Sequence, residues 1–136
     1  MARTRFNATR IGQYRSLFEE KIAQQLTKNK LKYDYEKETI PYLLPSKEKT
    51  YLPDFRIFTG SKFIYIEAKG LFDRDDRVKH LLLKEQHPDK DIRIVFQNAY
   101  GKIYKKSKTT YGEWCTNKKI KWAHKEIPEA WMKELS

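Results

Sequence analysis

Tyr51-Leu-Pro-Asp54-Phe-Arg-Ile-Phe-Thr-Gly60-Ser-Lys-Phe-Ile-Tyr-Ile-Glu67-Ala-Lys69-Gly70 reads as a β-hairpin, with strands over Tyr51–Phe58 and Lys62–Ala68 turned by Thr59-Gly60-Ser61. The second strand is apolar nearly throughout (Phe63, Ile64, Tyr65, Ile66), the pattern of a central strand covered on both faces. Side chains alternate with period two, so Glu67 and Lys69 share one face, and the hairpin sets Asp54 of the neighbouring strand beside them. Two carboxylates and an ammonium thus gather on one sheet surface in apolar surroundings. Clustered carboxylates repel and take up protons unless a divalent cation offsets the penalty. Mg²⁺ suits such a site, because it needs few carboxylates, keeps several waters and accepts phosphate oxygens. The pattern therefore points to metal-assisted phosphodiester hydrolysis, with Asp54, Glu67 and the Ala68 carbonyl as ligands and a second metal nearby. Lys69 would orient or deprotonate the attacking water, or neutralise charge in the transition state. A Glu-x-Lys alone is usually a solvated pair on a strand; the Pro-Asp, a helix-borne Glu and a basic chain set this one apart.

Upstream, Ser16 to about Asn29 has a helical pattern, with Phe18, Ile22 and Leu26 four apart and Ser16 as N-cap. Glu19 stands at capping-box spacing from Ser16 and also borders the buried stripe, so it is a cap or a site residue. Leu31–Thr39 alternates like a half-exposed strand. Pro41 and Pro45 disfavour a helix and bias residues 40–50 toward an extended connector between lobes or subunits.

Downstream, a helix runs from Asp73 to about Gln86, with Val78, Leu81, Leu82 and Glu85 at helical spacing and Pro88 as its stop. Ile92–Phe96 is a short buried strand, Lys102–Tyr104 a further strand, Tyr111–Thr116 a short helix and Ile120–Ala123 a last strand with Trp122 inward. Pro128-Glu-Ala-Trp131 starts a terminal helical turn. The alternation defines an α/β class with a mixed sheet.

At 136 residues the chain is one domain's worth of protein, and 29 Lys+Arg against 18 Asp+Glu give it +11. That balance favours a polyanionic partner, nucleic acid first and an anionic membrane surface second. No apolar run is long enough to span a bilayer and no secretory signal core is visible, which points to the cytoplasm. Cys115 has no second cysteine to pair with, and His80, His87 and His124 lack a Cys-x-x-Cys, so a structural zinc site is set aside. His80 and His87 read as packing or capping residues. Residues 1–15 form a basic arm, with Arg3, Arg5, Arg10 and Arg15 and no acid, expected to be mobile when free. Between Lys102 and Lys125 eight lysines, Lys102, Lys105 and Lys106 among them, face one acid, Glu113. With the arginines they would contact phosphates and position DNA without reading its sequence.

The residues Tyr14-Arg-Ser-Leu-Phe-Glu19-Glu-Lys, Tyr51-Leu-Pro-Asp54-Phe, Glu67-Ala-Lys69-Gly-Leu, His80-Leu-Leu-Leu-Lys-Glu-Gln-His-Pro88, Asp91-Ile-Arg-Ile-Val-Phe96 and Thr110-Tyr-Gly-Glu-Trp-Cys115 carry a resemblance. From about Tyr14 to Trp131, in order and with few gaps, the sequence resembles the bacteriophage endonuclease I family of Holliday-junction-resolving enzymes. That family lies within the PD-(D/E)xK restriction-endonuclease-like superfamily. The resemblance implies a structure-selective DNA endonuclease that cuts four-way and other branched DNA with Mg²⁺ or Mn²⁺, two per site, leaving 5′-phosphate and 3′-hydroxyl ends. It implies Glu19, Asp54, Glu67 and Lys69 as the catalytic set, with Asp54 and Glu67 the main ligands and Glu19 completing the second metal position. It further implies an intertwined homodimer: within the nuclease domain 16–136, residues 16–39 would be exchanged and 40–50 would be the crossing. A mismatch or duplex nicking nuclease, or a non-catalytic architectural DNA-binding protein, are the alternatives. The chain departs from the family at both ends: it stops at Ser136 without a long basic tail, and the segment before Tyr14 matches poorly.

Overall fold

The computed structural model describes residues 13–44 and 47–135, apart from the side chains of Lys47 and Thr59. The hairpin at its centre joins β4 (Phe55–Thr59) to β5 (Lys62–Lys69), paired antiparallel from Phe55 opposite Ile66 to Thr59 opposite Lys62. Gly60 takes a φ of +58° at the turn, a conformation that glycine adopts without the strain of a Cβ. The hairpin register ends at Phe55 opposite Ile66, so β5 runs on past its partner, and Glu67, Ala68 and Lys69 pair only with β6 (Asp91–Phe96), in parallel. Asp54 lies just ahead of β4 rather than within it, at the point where the two hairpin strands part.

Around this pair the sheet is completed by β1 (Lys32–Tyr35), antiparallel to β4, and β7 (Trp122–His124), parallel to β6. The order β1-β4-β5-β6-β7 puts β5 in the middle, as its apolar run requires, and makes the sheet mixed. One face carries Ile64, Ile66, Phe55, Ile57 and Val95 under α1 (Leu17–Lys28) and α4 (Glu129–Leu135), which contribute Ile22, Ala23, Leu26 and Leu135. On the other face Ile94 and Phe96 pack with Phe72, Tyr111, Cys115 and Ile120, and Tyr65 packs with Leu83 of α2 (Arg74–Gln86). The helix α3 (Tyr111–Asn117) closes that side. Period-two alternation sends Tyr65, Glu67 and Lys69 toward this second face.

Several boundaries differ from the sequence reading. The strand expected over Leu31–Thr39 ends at Tyr35, because Glu36 adopts a φ of +51° and its N–H turns to the Asp54 carbonyl at 2.9 Å. Within residues 40–51, β2 (Ile40–Leu44) pairs antiparallel with β3 (Lys47–Tyr51) as a separate two-stranded sheet. The α1 helix packs on the five-stranded sheet. Lys102–Tyr104 makes one isolated bridge, Lys102 with Thr110, rather than a strand. The α2 helix forms as its spacing indicates; it buries His80 and Leu83, and Leu82 packs partly buried beside them. His80 packs edge-on between Tyr51 and Phe72, and His87 caps α2 and contacts the Pro41 carbonyl. Both histidines thus pack or cap, and Cys115 is a small buried residue, as the sequence suggested.

An ion cluster around one buried arginine fixes α4. Arg93 of β6, with no exposed surface, donates to both oxygens of Asp91 (2.9 and 2.8 Å) and both of Glu134 (3.0 Å each), and its guanidinium lies 5.0 Å from the Trp131 ring centre. Hydrogen bonds from Arg93 hold the Glu134 carboxyl down to about 2. Among the described residues, no helix is long and apolar enough to cross a membrane.

Candidate active site

The open end of β5 gathers the acids. Asp54, Glu67 and Glu19 are each about 7% exposed or less, far more buried than carboxylates usually are. The Ala68 N–H donates to Asp54 Oδ2 at 2.9 Å, so the strand that carries Glu67 and Lys69 also aims Asp54. The Tyr51 hydroxyl, at the end of β3, donates to Glu67 Oε1 at 2.7 Å. The other oxygen, Oε2, lies 3.8 Å from the Lys69 ammonium, which in turn sits 3.0 Å from Asp76 Oδ1 in the first turn of α2. Glu67 and Lys69 thus do share a face, with Asp54 at the strand split beside them.

Glu19 arrives from α1. Ser16 caps that helix by accepting the Glu19 N–H at 3.0 Å, but the return half of the capping box is absent. Instead Glu19 Oε1 accepts the Arg15 N–H at 2.9 Å and the Tyr35 hydroxyl at 2.7 Å. Glu19, Glu36 and Asp54 each present a ligand oxygen within 4.8 Å of the others. Asp54 therefore stands between two groups: Glu67 and Lys69 on one side, Glu19 and Glu36 on the other.

The electrostatics are those of too many acids for the available cations. Burial, then Glu67 and Glu19, push the Asp54 carboxyl well above the ordinary carboxylate range. Burial raises Glu67 as well, against the pull of Lys79, Lys69 and the Tyr51 hydrogen bond. Burial opposes the charge on Lys69, but Glu67 and Asp76 outweigh it and keep the ammonium charged. Burial raises the Tyr51 and Tyr35 hydroxyls, and the carboxylates they touch raise them further, so both remain donors. A set of hard oxygen donors with an excess of buried negative charge fits Mg²⁺ or Mn²⁺ and not a soft metal.

Sequence reasoning named Glu19, Asp54, Glu67 and Lys69, and the structure brings all four to one end of the sheet. It missed Glu36, Tyr35, Tyr51 and Asp76. The alternation of Tyr33 and Tyr35 with Asp34 and Glu36 hinted at the β1 pair, but the left-handed turn at Glu36 has no sequence signal. Arg15 holds Glu19 through its backbone and lies 3.8 Å from Glu36 through its side chain. Lys102, Lys105 and Lys106 are exposed on the segment after β6, while Arg3, Arg5 and Arg10 lie outside the described residues.

Carboxylates and a lysine at the splayed end of a mixed sheet define a hydrolytic site of the nuclease type. Over residues 1–136 the chain matches the model of the phage endonuclease I family, and it belongs to that family. It is similar to Endonuclease I of Escherichia phage T7, with 47% identity over 125 residues that cover 92% of this chain and 82% of the relative. It is also similar to Endodeoxyribonuclease 1 of Enterobacteria phage T3, with 50% identity over 121 residues, 89% of this chain and 78% of the relative. The chain is an endonuclease, as the resemblance in its motifs implied.

Proposed function

We propose that the chain cuts four-way and other branched DNA by divalent-metal-dependent hydrolysis of a phosphodiester bond. The observation that carries this reading is the excess of buried carboxylates around Asp54, more than the neighbouring Lys69, Lys79 and Arg15 offset, within an otherwise basic protein. A purely architectural binder gains nothing from acids placed where phosphate would lie, and mutual repulsion makes them costly.

Asp54, Glu67 and the Ala68 carbonyl would hold one Mg²⁺ or Mn²⁺, and Glu19 with Asp54 a second. Once bound, such cations supply a water of lowered pKa and neutralise the phosphate oxygens. The residues around them do the positioning. Tyr51 occupies one oxygen of Glu67 and leaves Oε2 on the Lys69 side, while Tyr35 and the Arg15 N–H fix Glu19 at the N-terminus of α1. Lys69, whose ammonium lies 3.8 Å from Glu67 and 3.0 Å from Asp76, would orient or deprotonate the attacking water or offset negative charge on the phosphate. Asp76 holds that ammonium in place.

The working unit in this reading is a homodimer in which residues 16–39 are exchanged. The β2–β3 hairpin is a sheet of its own, separate from the sheet that α1 and β1 pack with, so a rearrangement confined to it would carry α1 and β1 to a partner. Two sites at a fixed separation then select the shape of a junction, while Arg3, Arg5, Arg10, Arg15, Lys102, Lys105 and Lys106 grip phosphates. The reaction takes place in the cytoplasm of the host cell.

Incubation with labelled four-way and linear DNA, with Mg²⁺ and with chelator, tests this. Metal-dependent cutting of the four-way DNA in preference to the linear is the expected result. Equal cutting of both would favour a duplex-nicking enzyme, and cutting in chelator would refute the metal. Mixed dimers of Glu19→Ala and Lys69→Ala chains should regain one intact site if the exchange occurs and none if it does not.

A further inference from the structure

The segment after β6 leaves the catalytic end of the sheet. Gln97 donates its N–H to the Lys69 carbonyl at 2.9 Å, and Lys125, just past β7, donates to the Phe96 carbonyl at 2.7 Å. From Gln97 to Gly112 the chain has no acid and four lysines, Lys102, Lys105, Lys106 and Lys108. Interleaved with them are Tyr100 and Tyr104, each 62% exposed in a protein that buries most of its large apolar side chains.

This segment is built rather than slack. Arg77 of α2 donates to both the Phe72 and Ile103 carbonyls at 2.8 and 3.0 Å. Ile103 packs against the core beside Phe72, and its N–H is bonded to the Thr109 carbonyl at 3.0 Å. Gly101 admits no side chain without crowding Tyr111, since a Cβ there would come within 3.0 Å of the ring. Tyr100 lies against His124 with ring centres 4.4 Å apart, and the His124 Nδ1 accepts the Ala99 N–H at 3.1 Å. One tyrosine is thus steadied by a neighbouring ring and the other sits beside the anchored Ile103.

Exposed aromatic rings alternating with lysines are suited to single-stranded nucleic acid: the rings stack on bases and the ammonium groups track the backbone. Bases at a branch point lose a stacking neighbour, whereas those inside a duplex keep both. We propose that the segment 98–110 is a base-stacking platform, in which Tyr100 and Tyr104 receive unpaired or splayed bases beside the scissile phosphate. It would thereby contribute to the preference for branched over fully paired DNA. The proposal rests on the branched-DNA reading above.

The test is equilibrium binding in chelator, so that nothing is cut, to a four-way junction, a paired duplex and a single-stranded oligonucleotide. The variants are Tyr100→Ala with Tyr104→Ala, and Tyr100→Phe with Tyr104→Phe. The double alanine variant should bind junction and single strand about tenfold more weakly while its duplex affinity stays level. The double phenylalanine variant, which keeps the rings, should bind all three like the unaltered protein. The platform is overturned if the alanine variant binds all three normally, if it loses duplex affinity equally, or if the phenylalanine variant fails as badly. It is overturned too if sedimentation shows that the alanine variant has changed its oligomeric state, for then the tyrosines join copies of the chain. An unaltered protein that does not prefer junction to duplex refutes the junction reading instead, and the single-strand arm still decides the platform.

Discussion

Two polar clusters lie on the same sheet, and their charge balance differs. At Arg93 one guanidinium meets two carboxylates and donates to them through all three of its nitrogens, Lys62 lies 3.7 Å from Glu134, and Asp91 and Glu134 are both held below their ordinary range. At Asp54 the acids outnumber the nearby cations, and Asp54 and Glu67 are both pushed above theirs. The first cluster is complete within the chain and serves to fasten α4 to β6. The second is complete only with a positive charge from elsewhere. Burial differs as well: Asp91 and Glu134 keep 31% and 37% of their side chains exposed, whereas Asp54 and Glu67 are almost wholly buried. The sign of the carboxylate shifts follows that difference.

The comparison breaks most visibly on substitution. Asp54→Ala or Glu67→Ala should lower the cleavage rate on the order of 10³-fold or more, about 4 kcal/mol of barrier, while thermal stability holds or rises as repulsion is relieved. Arg93→Ala should do the reverse. It should cost about 3 kcal/mol in denaturant unfolding, the lower end for a buried pair because Asp91 and Glu134 can still reach water, and leave the metal-dependent chemistry intact. A stable Arg93→Ala protein, or an unfolded Asp54→Ala protein, would reverse the assignment of roles.

A smaller effect separates both clusters from a third group. Burial, with Lys79 and Lys69 nearby, depresses the His80 imidazole from 6.5 to about 3. The unfolded chain therefore takes a proton below pH 6.5 that the folded one refuses until about 3. Stability conferred above pH 6.5 is then lost as pH falls, at a slope that approaches about 1.4 kcal/mol per pH unit by about one unit below that point. Urea unfolding at pH 6.5 and 5 should show the slope, and His80→Phe should flatten it. Glu134 acts in the same direction, but only below its unfolded value of 4.5.

Much of this was legible in the sequence because it depends on local periodicity. The apolar run of β5 foretold a central strand, and period two put Glu67 and Lys69 on one face. The α1 stripe placed Glu19 at its border, and the motifs gave the family. What stayed hidden depends on contacts distant in sequence. Asp54 was assigned to a strand, but it lies where β4 and β5 separate and is aimed by the Ala68 N–H. The left-handed turn at Glu36 and the pairing of β2 with β3 follow from tertiary contacts. So do the hydroxyls of Tyr35 and Tyr51, each of which meets a carboxylate sixteen residues away. The α2 helix buries His80 and Leu83 because Tyr51, Tyr65 and Phe72 lie beneath it, a fact its own spacing could not supply.

Anomalous diffraction from a crystal soaked in Mn²⁺ tests the central claim most directly. The account predicts a manganese peak bonded to Asp54 and Glu67 at the open end of β5, with Glu19 completing any second peak, and none at Arg93, Asp91 and Glu134. Manganese found elsewhere, or no peak between Asp54 and Glu67 at concentrations that support cutting, would contradict it.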